Sequence, residues 1–538
     1  MQHGHPINGS AARLRDPAIP PLGGTPDDTA ARGTAAVPPP KPPVRGGSTI
    51  MRSGALSMLA LVAVGATRLV HGSLTSHATD RATYGLVGIM LAASMVASLL
   101  LPGGVSSGLS KFVAFHRGAG DLPAAWAVHR FLSRLGLTAC LVLGAATALV
   151  VQRIYHLGAV DTVTLAVLTA TYSLYTVDKA AMYGHGLVPQ YARIELATSA
   201  LAVVTTVVVI ATGETAYLLP LCLGYGIFVA LCRHRLRAHR RREGAPAGGR
   251  FDRREVVIFA VLGSIGTLAS AGFLQTTQLL AGHFADPSEV AYLVAAVALI
   301  APLWFLPRAL ALALFPAMAG AQGAGDTTAV RRQVDASTRA LAVTMAPVFV
   351  VGLLAAPLVL GLFGGHEYAA GATVLRIMLC AAFLGILQVP SVNALASGPL
   401  TQARVPVISA VVGCLIGLAV VVATARSMGA TGVGLGYLVG TAVTATIPVV
   451  TVWWLHRLAW TMTLARSIAL VVVAALVTRL DVMQTWSWTA AAVTLAGFVV
   501  AGLVLSGDIR RLLVLARSHR GSASTPVATP PSKTQQSV

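Results

Sequence analysis

One stretch runs His283-Phe284-Ala285-Asp286, then Tyr292, then a long apolar run, then Gly323-Ala324-Gly325-Asp326. The same landmarks stand in the same order earlier in the chain: His77-Ala78-Thr79-Asp80, Tyr84, a long apolar run, and Gly118-Ala119-Gly120-Asp121. From the histidine to the first glycine of the tetrapeptide is 41 residues in the first copy and 40 in the second. One shared tetrapeptide is chance; four landmarks kept in order and spacing indicate a duplicated unit.

That unit is built for a membrane. The 538 residues are 55% hydrophobic and only 11% charged, with mean hydropathy +0.74. A soluble protein carries roughly twice that charge. Apolar runs of about 20 residues, each long enough to cross a hydrocarbon core of ~30 Å, fill the chain. They fall at about 54–74, 82–102, 131–151, 159–179, 193–213 and 215–232, and then at 255–281, 289–317, 337–363, 369–396, 401–424, 429–452, 463–478 and 486–506. The expected fold is an all-α polytopic membrane protein of about fourteen transmembrane helices.

The arginines test that count. With both termini cytoplasmic, thirty-two of the 39 lysines and arginines fall on the cytoplasmic side. Only Arg81, Arg153, Arg426 and Arg479 fall outside, and Arg68, Arg308 and Arg376 lie within spans. Such a split requires an even number of spans with both ends inside. Both His-to-Asp landmarks then lie outside and both Gly-Ala-Gly-Asp turns inside. A repeat offset by six spans keeps its orientation, so two six-helix lobes are related by an axis along the membrane normal.

The organisation expected is a disordered cytoplasmic tail over 1–50, an N-lobe over 51–232, a basic cytoplasmic loop over 233–254 and a C-lobe over 255–456. A terminal helix pair over 457–508 and a second disordered tail over 509–538 complete it. The net charge of +20 does not indicate nucleic acid, because its densest block, Arg233 to Arg254, lies between apolar runs without interleaved aromatics. Retention of positive charge at the cytoplasmic face accounts for it. All five cysteines fall inside apolar runs and form no CxxC pair, so neither a disulfide framework nor a metal site is expected. His3 and His5, alone in the tail, do not make a ligand set.

Several quoted motifs together resemble the polysaccharide (O-antigen-type, Wzx) flippases. They are Thr67-Arg68, Asp80 with Tyr84-Gly85, and Gly108 with Ser110-Lys111-Phe112-Val113-Ala114. Further on come Leu306-Pro307 with Leu314-Phe315-Pro316, Leu362-Phe363-Gly364 with Tyr368-Ala369, Asn393 with Gly398 and Arg404, and the glycine-rich run from Gly429 to Gly436. The likeness spans about residues 52–456. It implies two lobes forming a V around a central cavity and working by alternating access, in a superfamily that also holds lipid II flippases and multidrug/cation antiporters.

The cavity candidates come from helical arithmetic. Ser57, Arg68, His71 and Thr75 of the first span fall within about 60° on a helical wheel. Ser264, Thr267, Gln275 and Gln278 of the seventh fall within about 80°. Equivalent helices with polar stripes are expected to face one aqueous cavity; the alternatives are interhelical hydrogen bonding or, for Arg68, snorkelling to the interface. Arg308 and Arg376 join them, since an arginine at bilayer depth normally faces protein or water. A guanidinium fork suits a diphosphate, because it donates two parallel hydrogen bonds to phosphate oxygens.

Three motifs are set aside. Gly104-Val105-Ser106-Ser107-Gly108 matches a nucleophile elbow only in letters, for an elbow needs a preceding strand. The glycines from Gly432 to Gly440 lack the βαβ unit of a dinucleotide site. No Walker A motif occurs, so no direct use of ATP is expected.

The function expected is a flippase, not an enzyme. It would carry a polyprenyl-diphosphate-linked glycan across a bacterial plasma membrane without a cofactor, and pass it to a glycan polymerase or ligase. A lipid II flippase would use the same cationic cavity. A multidrug/cation antiporter needs a membrane-embedded carboxylate, and Glu255, Asp178 and Glu195 read as cytoplasmic helix ends. A glycan polymerase or glycosyltransferase needs a large outer loop, and each outer loop here is about a dozen residues or fewer.

Overall fold

The computed structural model describes residues 47–244 and 248–522, and no strand occurs among them. The first repeat runs α1 (Gly47–Ala78), α2 (Arg81–Leu99), α3 (Leu101–Gly108), α4 (Ala114–Gly118), α5 (Leu122–Tyr155), α6 (Ala159–Gly184), α7 (Val188–Ala211) and α8 (Leu219–Glu243). A short π-helical segment, Leu109–Val113, joins α3 to α4. The second runs α9 (Arg253–Phe284), α10 (Pro287–Ile300), α11 (Phe305–Gly323), α12 (Thr327–Leu354), α13 (Ala356–Gly364), α14 (Ala372–Leu387), α15 (Val389–Ser397) and α16 (Leu400–His456). Then come α17 (Thr461–Val477) and α18 (Trp488–Ser522).

A backbone in hydrocarbon must satisfy its polar groups internally, so apolar runs of this length become helices. Among the described residues nine helices are long and apolar enough to cross a membrane, or ten if the two parts of α9 count as one bent span. Helix occupies every one of the fourteen expected runs. The strict count is lower because α16 spans two of them, α17 is short, and α6 and α8 fall outside the criterion. The break within α16 is Gly429, whose positive φ interrupts the helix, and the Glu289 carboxylate caps the second half by accepting from Ala430 N at 2.9 Å.

The duplication is structural as well as sequential. At both Gly-Ala-Gly-Asp turns the third residue takes a left-handed φ, +78° at Gly120 and +71° at Gly325, a region glycine enters without steric cost. Each turn's aspartate then caps the next helix: Asp121 accepts from Ala124 N at 2.9 Å and Asp326 from Ala329 N at 2.8 Å. Helix pairing repeats too. α1 packs on α7, α5 on α6, α6 on α8 and α2 on α6; six spans later α9 packs on α16, α12 on α14, α14 on α16 and α10 on α14. α17 and α18 pack on α12.

Three boundaries differ from expectation. Helix begins at Gly47 and continues to Ser522, so 47–50 and 509–522 are helical. The remainder of both expected tails, with His3 and His5, lies outside the described residues. The basic stretch is helical through Glu243, because α8 simply continues past its apolar run. The Gly104–Gly108 motif lies within helix α3, where a Cβ at Gly104 would collide with the Ala260 carbonyl of α9. Its small residues serve close helix packing, not an elbow.

The repeats meet along α2 with α9 and α10. At the end away from the basic stretch they are tied shut. Ser73 and Ser76 both donate to the Phe363 carbonyl, at 2.7 and 2.9 Å, and Arg81 reaches Glu367 at 3.3 Å and the Tyr292 hydroxyl at 2.5 Å. Tyr84 packs edge-on against Phe363 and Tyr368, with ring centroids 6.2 and 5.8 Å apart.

Candidate functional site

Between the two repeats is a cavity of about 820 Å³. Its lining runs from Thr75 and Tyr84, beside the tied end, to Ser110 near the basic end, where Ser110 is exposed. Arg68, His71, Thr75, Gln275, Gln278 and Arg308, all expected from the sequence, line it.

Arg68 is held by an aromatic cradle. Its Nε and Nη2 donate to the Tyr225 hydroxyl at 3.3 and 3.2 Å, and its guanidinium lies 5.1 Å from the Tyr172 ring centroid. Such a cation–π contact strengthens when desolvated. His71 is buried with Nδ1 3.0 Å from the Thr206 hydroxyl, leaving Nε2 without a protein partner. Thr75 has a buried hydroxyl likewise unpaired, and Gln278 donates to the Gln275 carboxamide at 3.3 Å. Arg308 is exposed.

Four expected residues sit elsewhere. Arg376 is buried outside the cavity, where Nε donates to the Leu353 carbonyl at 3.3 Å and Nη2 to the Met483 carbonyl at 2.5 Å. It fastens α14 to the end of α12 and to the α17–α18 connection, so its charge serves packing. Ser57 is buried within hydrogen-bonding reach of Tyr183, behind the lining. Ser264 bonds its own helix at the Ala260 carbonyl, and Thr267 reaches the Leu99 carbonyl of α2. The stripe on α9 fails as a single face because the helix bends by 56° between its Arg253–Ala269 and Ala271–Phe284 parts. Ser264 and Thr267 precede the bend, and Gln275 and Gln278 follow it.

Sequence reasoning missed Lys179. It lines the cavity on α6 with Tyr172, Tyr175, Thr176 and Tyr183. The wheel arithmetic used for α1 would have found them, since Tyr172, Tyr175, Lys179 and Tyr183 fall within about 80°. Lys179 Nζ lies 5.5 Å from the Tyr175 ring centroid and 5.3 Å from that of Tyr191. The Tyr175 hydroxyl accepts from Nζ at 3.5 Å and donates to Glu195 at 3.0 Å.

Glu195 and Asp178, expected at helix ends, are both buried within the first repeat. Glu195 is engaged by Tyr175, and Asp178 by Arg233 at 2.8 Å. Neither lines the cavity. Among the described lining residues there are three cations, Arg68, Lys179 and Arg308, and no carboxylate. Arg68 and Lys179 come from the first repeat and Arg308 from α11 of the second, whose remaining lining is largely apolar with a few neutral polar groups, Gln275, Gln278, Gln388, Thr441 and Thr444. Such a site attracts and orients an anion between Arg68 and Lys179 on one wall and Arg308 on the other, with neutral hydrogen-bonding groups beyond them. No cluster of metal-ligating side chains occurs among the described residues.

A sequence model of the MatE family matches residues 264–423, the greater part of the second repeat. No curated protein matches. Among solved structures, the chain is similar to an inward-facing multidrug resistance MATE family transporter of the MOP superfamily, at 14% identity and TM-score 0.60. That match covers 74% of this chain and 98% of the other. It is also similar to the lipid II flippase MurJ in an inward closed conformation, at 10% identity and TM-score 0.58, over 86% of this chain and all of the other. A third similar structure is a MOP superfamily transporter from Pyrococcus furiosus described as having a binding pocket of reverse polarity. There identity is 16% and TM-score 0.51, over 76% of this chain and 96% of that one. The chain therefore has the polytopic fold shared by MATE transporters and MurJ.

Proposed function

We propose that this protein is a transporter that flips a polyprenyl-diphosphate-linked glycan across a bacterial plasma membrane by alternating access. The observation that carries the proposal is the charge of the cavity, with Arg68, Lys179 and Arg308 on its lining and no carboxylate among the described lining residues. A cationic drug would meet like charge there, whereas a diphosphate would meet donors suited to its oxygens. The fold supports carriage across a bilayer, and the similarity to MurJ supports a lipid-linked cargo.

In this reading the basic end is cytoplasmic, as the distribution of arginines requires. The cavity is closed outside by the Arg81, Tyr84 and Phe363 contacts and loads from inside. The diphosphate lies between Arg68 and Lys179 on α1 and α6 and Arg308 on α11, the sugars face the neutral polar groups of α9 and α16, and the polyprenyl tail stays in lipid. Outward opening would separate Ser73 and Ser76 from Phe363 and Arg81 from Glu367. Lipid II presents the same diphosphate, so this cavity chemistry suits it equally.

The test is transport by the purified full chain in proteoliposomes. A fluorescent polyprenyl-diphosphate oligosaccharide should change leaflets, and a permanently cationic dye should not be carried. Dye transport without movement of the lipid-linked sugar would reverse the assignment.

A further inference from the structure

A second cavity, about 250 Å³, lies at the basic end on the far side of the first repeat from the transport cavity's lining. α5 and α8 both pack on α6, and the cavity sits between them over Asp178. Five arginines line it: Arg130 and Arg134 from α5, and Arg233, Arg237 and Arg240 from α8. The i, i+4 and i, i+4, i+7 spacings place each set on one helix face. The single lining carboxylate, Asp178, is bound by Arg233 at 2.8 Å.

Retention of positive charge at one membrane face explains why arginines are abundant here. It does not explain why two helices aim them into one concavity, because like charges gathered in this way repel. The Ser133 hydroxyl gives an independent indication. It lines the same cavity, is shut off from solvent and has no protein hydrogen-bond partner. A buried hydroxyl without a partner is costly, and an oxyanion in the cavity would accept from it.

The depth of the site selects the source of the oxyanion. The arginines lie at the ends of the apolar parts of α5 and α8. Two turns further along α5, about 10 Å at the rise of a helix, Leu141 is exposed on the helix face that carries Arg130, Arg134 and the lining residue Leu137. A ligand with a phosphate at the arginines thus finds the apolar side chains of Leu137 and Leu141 along α5 beneath it, as an acyl chain would require. We propose that this cavity is a binding site for the headgroup of an anionic phospholipid. Guanidinium forks from both helices grip its phosphodiester and Ser133 donates a further hydrogen bond. The lipid joins α5 to α8 without entering the transport cavity.

The test uses purified full-length protein and native mass spectrometry with phosphatidylglycerol, phosphatidylcholine and inorganic phosphate as probes. Phosphatidylglycerol should be retained in clear preference to phosphatidylcholine. Arg134→Gln with Arg237→Gln and Arg240→Gln should reduce its affinity at least about tenfold, since charge-assisted hydrogen bonds of this kind carry a decade or more. Arg241→Gln with Arg242→Gln removes nearby charge outside the cavity and should leave binding at the parent level. Should the triple variant not fold, the exposed Arg134 and Arg237, substituted singly, should each give a smaller loss. The proposal is overturned if the cavity variants bind phosphatidylglycerol like the parent, or if the control pair loses as much. It also fails if inorganic phosphate at matched concentration displaces the lipid, which would mark a site for a free anion.

Discussion

Arg68 donates twice to the hydroxyl of Tyr225, from Nε at 3.3 Å and from Nη2 at 3.2 Å, and so is anchored inside the bundle. A snorkelling arginine would instead extend to the interface. The anchor and the Tyr172 ring fix one side of the guanidinium. Tyr225→Phe should therefore leave the protein folded and lower transport severalfold by loosening the fork, with a rise in the substrate concentration needed for half-maximal rate. Arg68→Lys should recover only part of the parent activity, because an ammonium lacks the planar fork. Full activity of Arg68→Lys would mean that only a point charge is needed.

Closure at the outer end predicts a trap. Arg81 and Glu367 are 3.3 Å apart, yet both are substantially exposed, so their ion pair contributes only about 0.2–1 kcal/mol. Arg81→Ala should be nearly neutral for folding. Cysteines placed at both positions should be bridged by a short, reducible bifunctional thiol reagent in the inward-loading state, stopping transport until the bridge is reduced. Transport unaffected by complete cross-linking would exclude separation at this contact.

Arg376 should behave as a structural residue. It is buried and bonded to two backbone carbonyls, so Arg376→Ala leaves both unsatisfied in a packed region. A loss of about 1–3 kcal/mol is expected for each carbonyl left without its donor. Thermal unfolding should shift down markedly, while any protein that folds should bind the diphosphate probe as the parent does.

Glu243, at the end of α8, offers a pH test. Burial alone would raise its carboxyl, but the hydrogen bonds and charge of Arg117, with Trp126 and His239, hold it below its usual 4.5. Arg117 donates to it at 2.7 and 3.1 Å and the Trp126 indole at 2.9 Å. A lowered carboxylate stabilises the fold above its ordinary value, and that contribution is lost as pH falls through the lowered one. Glu243→Gln should cost about 1–3 kcal/mol near neutrality. The gap between parent and variant should narrow as pH falls below 4.5 and close once the lowered value is passed; a gap that persists throughout acid conditions would show that packing, not charge, is at stake.

The fold was legible because hydrocarbon leaves the backbone so few choices, and because Asp121 and Asp326 perform the same capping after the same left-handed glycine. Arg68, His71 and Thr75 were legible for a related reason: they share one face of a helix that remains regular where it lines the cavity. The α9 stripe was half right, since a wheel assumes a straight helix and this one bends between its two polar pairs. Arg376 was misassigned because sequence cannot show that backbone carbonyls from distant segments converge on it. Lys179 was overlooked as a helix-end charge, although its tyrosine neighbours already stood at helical spacing.

The central claim, that a diphosphate is recognised by Arg68 and Lys179, is tested most directly by equilibrium binding to the purified chain. The probes are a fluorescent polyprenyl diphosphate, its monophosphate and a cationic amphiphile. The diphosphate should bind tightest, and Arg68→Ala and Lys179→Ala should each weaken it at least about tenfold while the proteins remain folded. Unchanged diphosphate affinity in both folded variants, or tighter binding of the cationic amphiphile by the parent, would contradict the account.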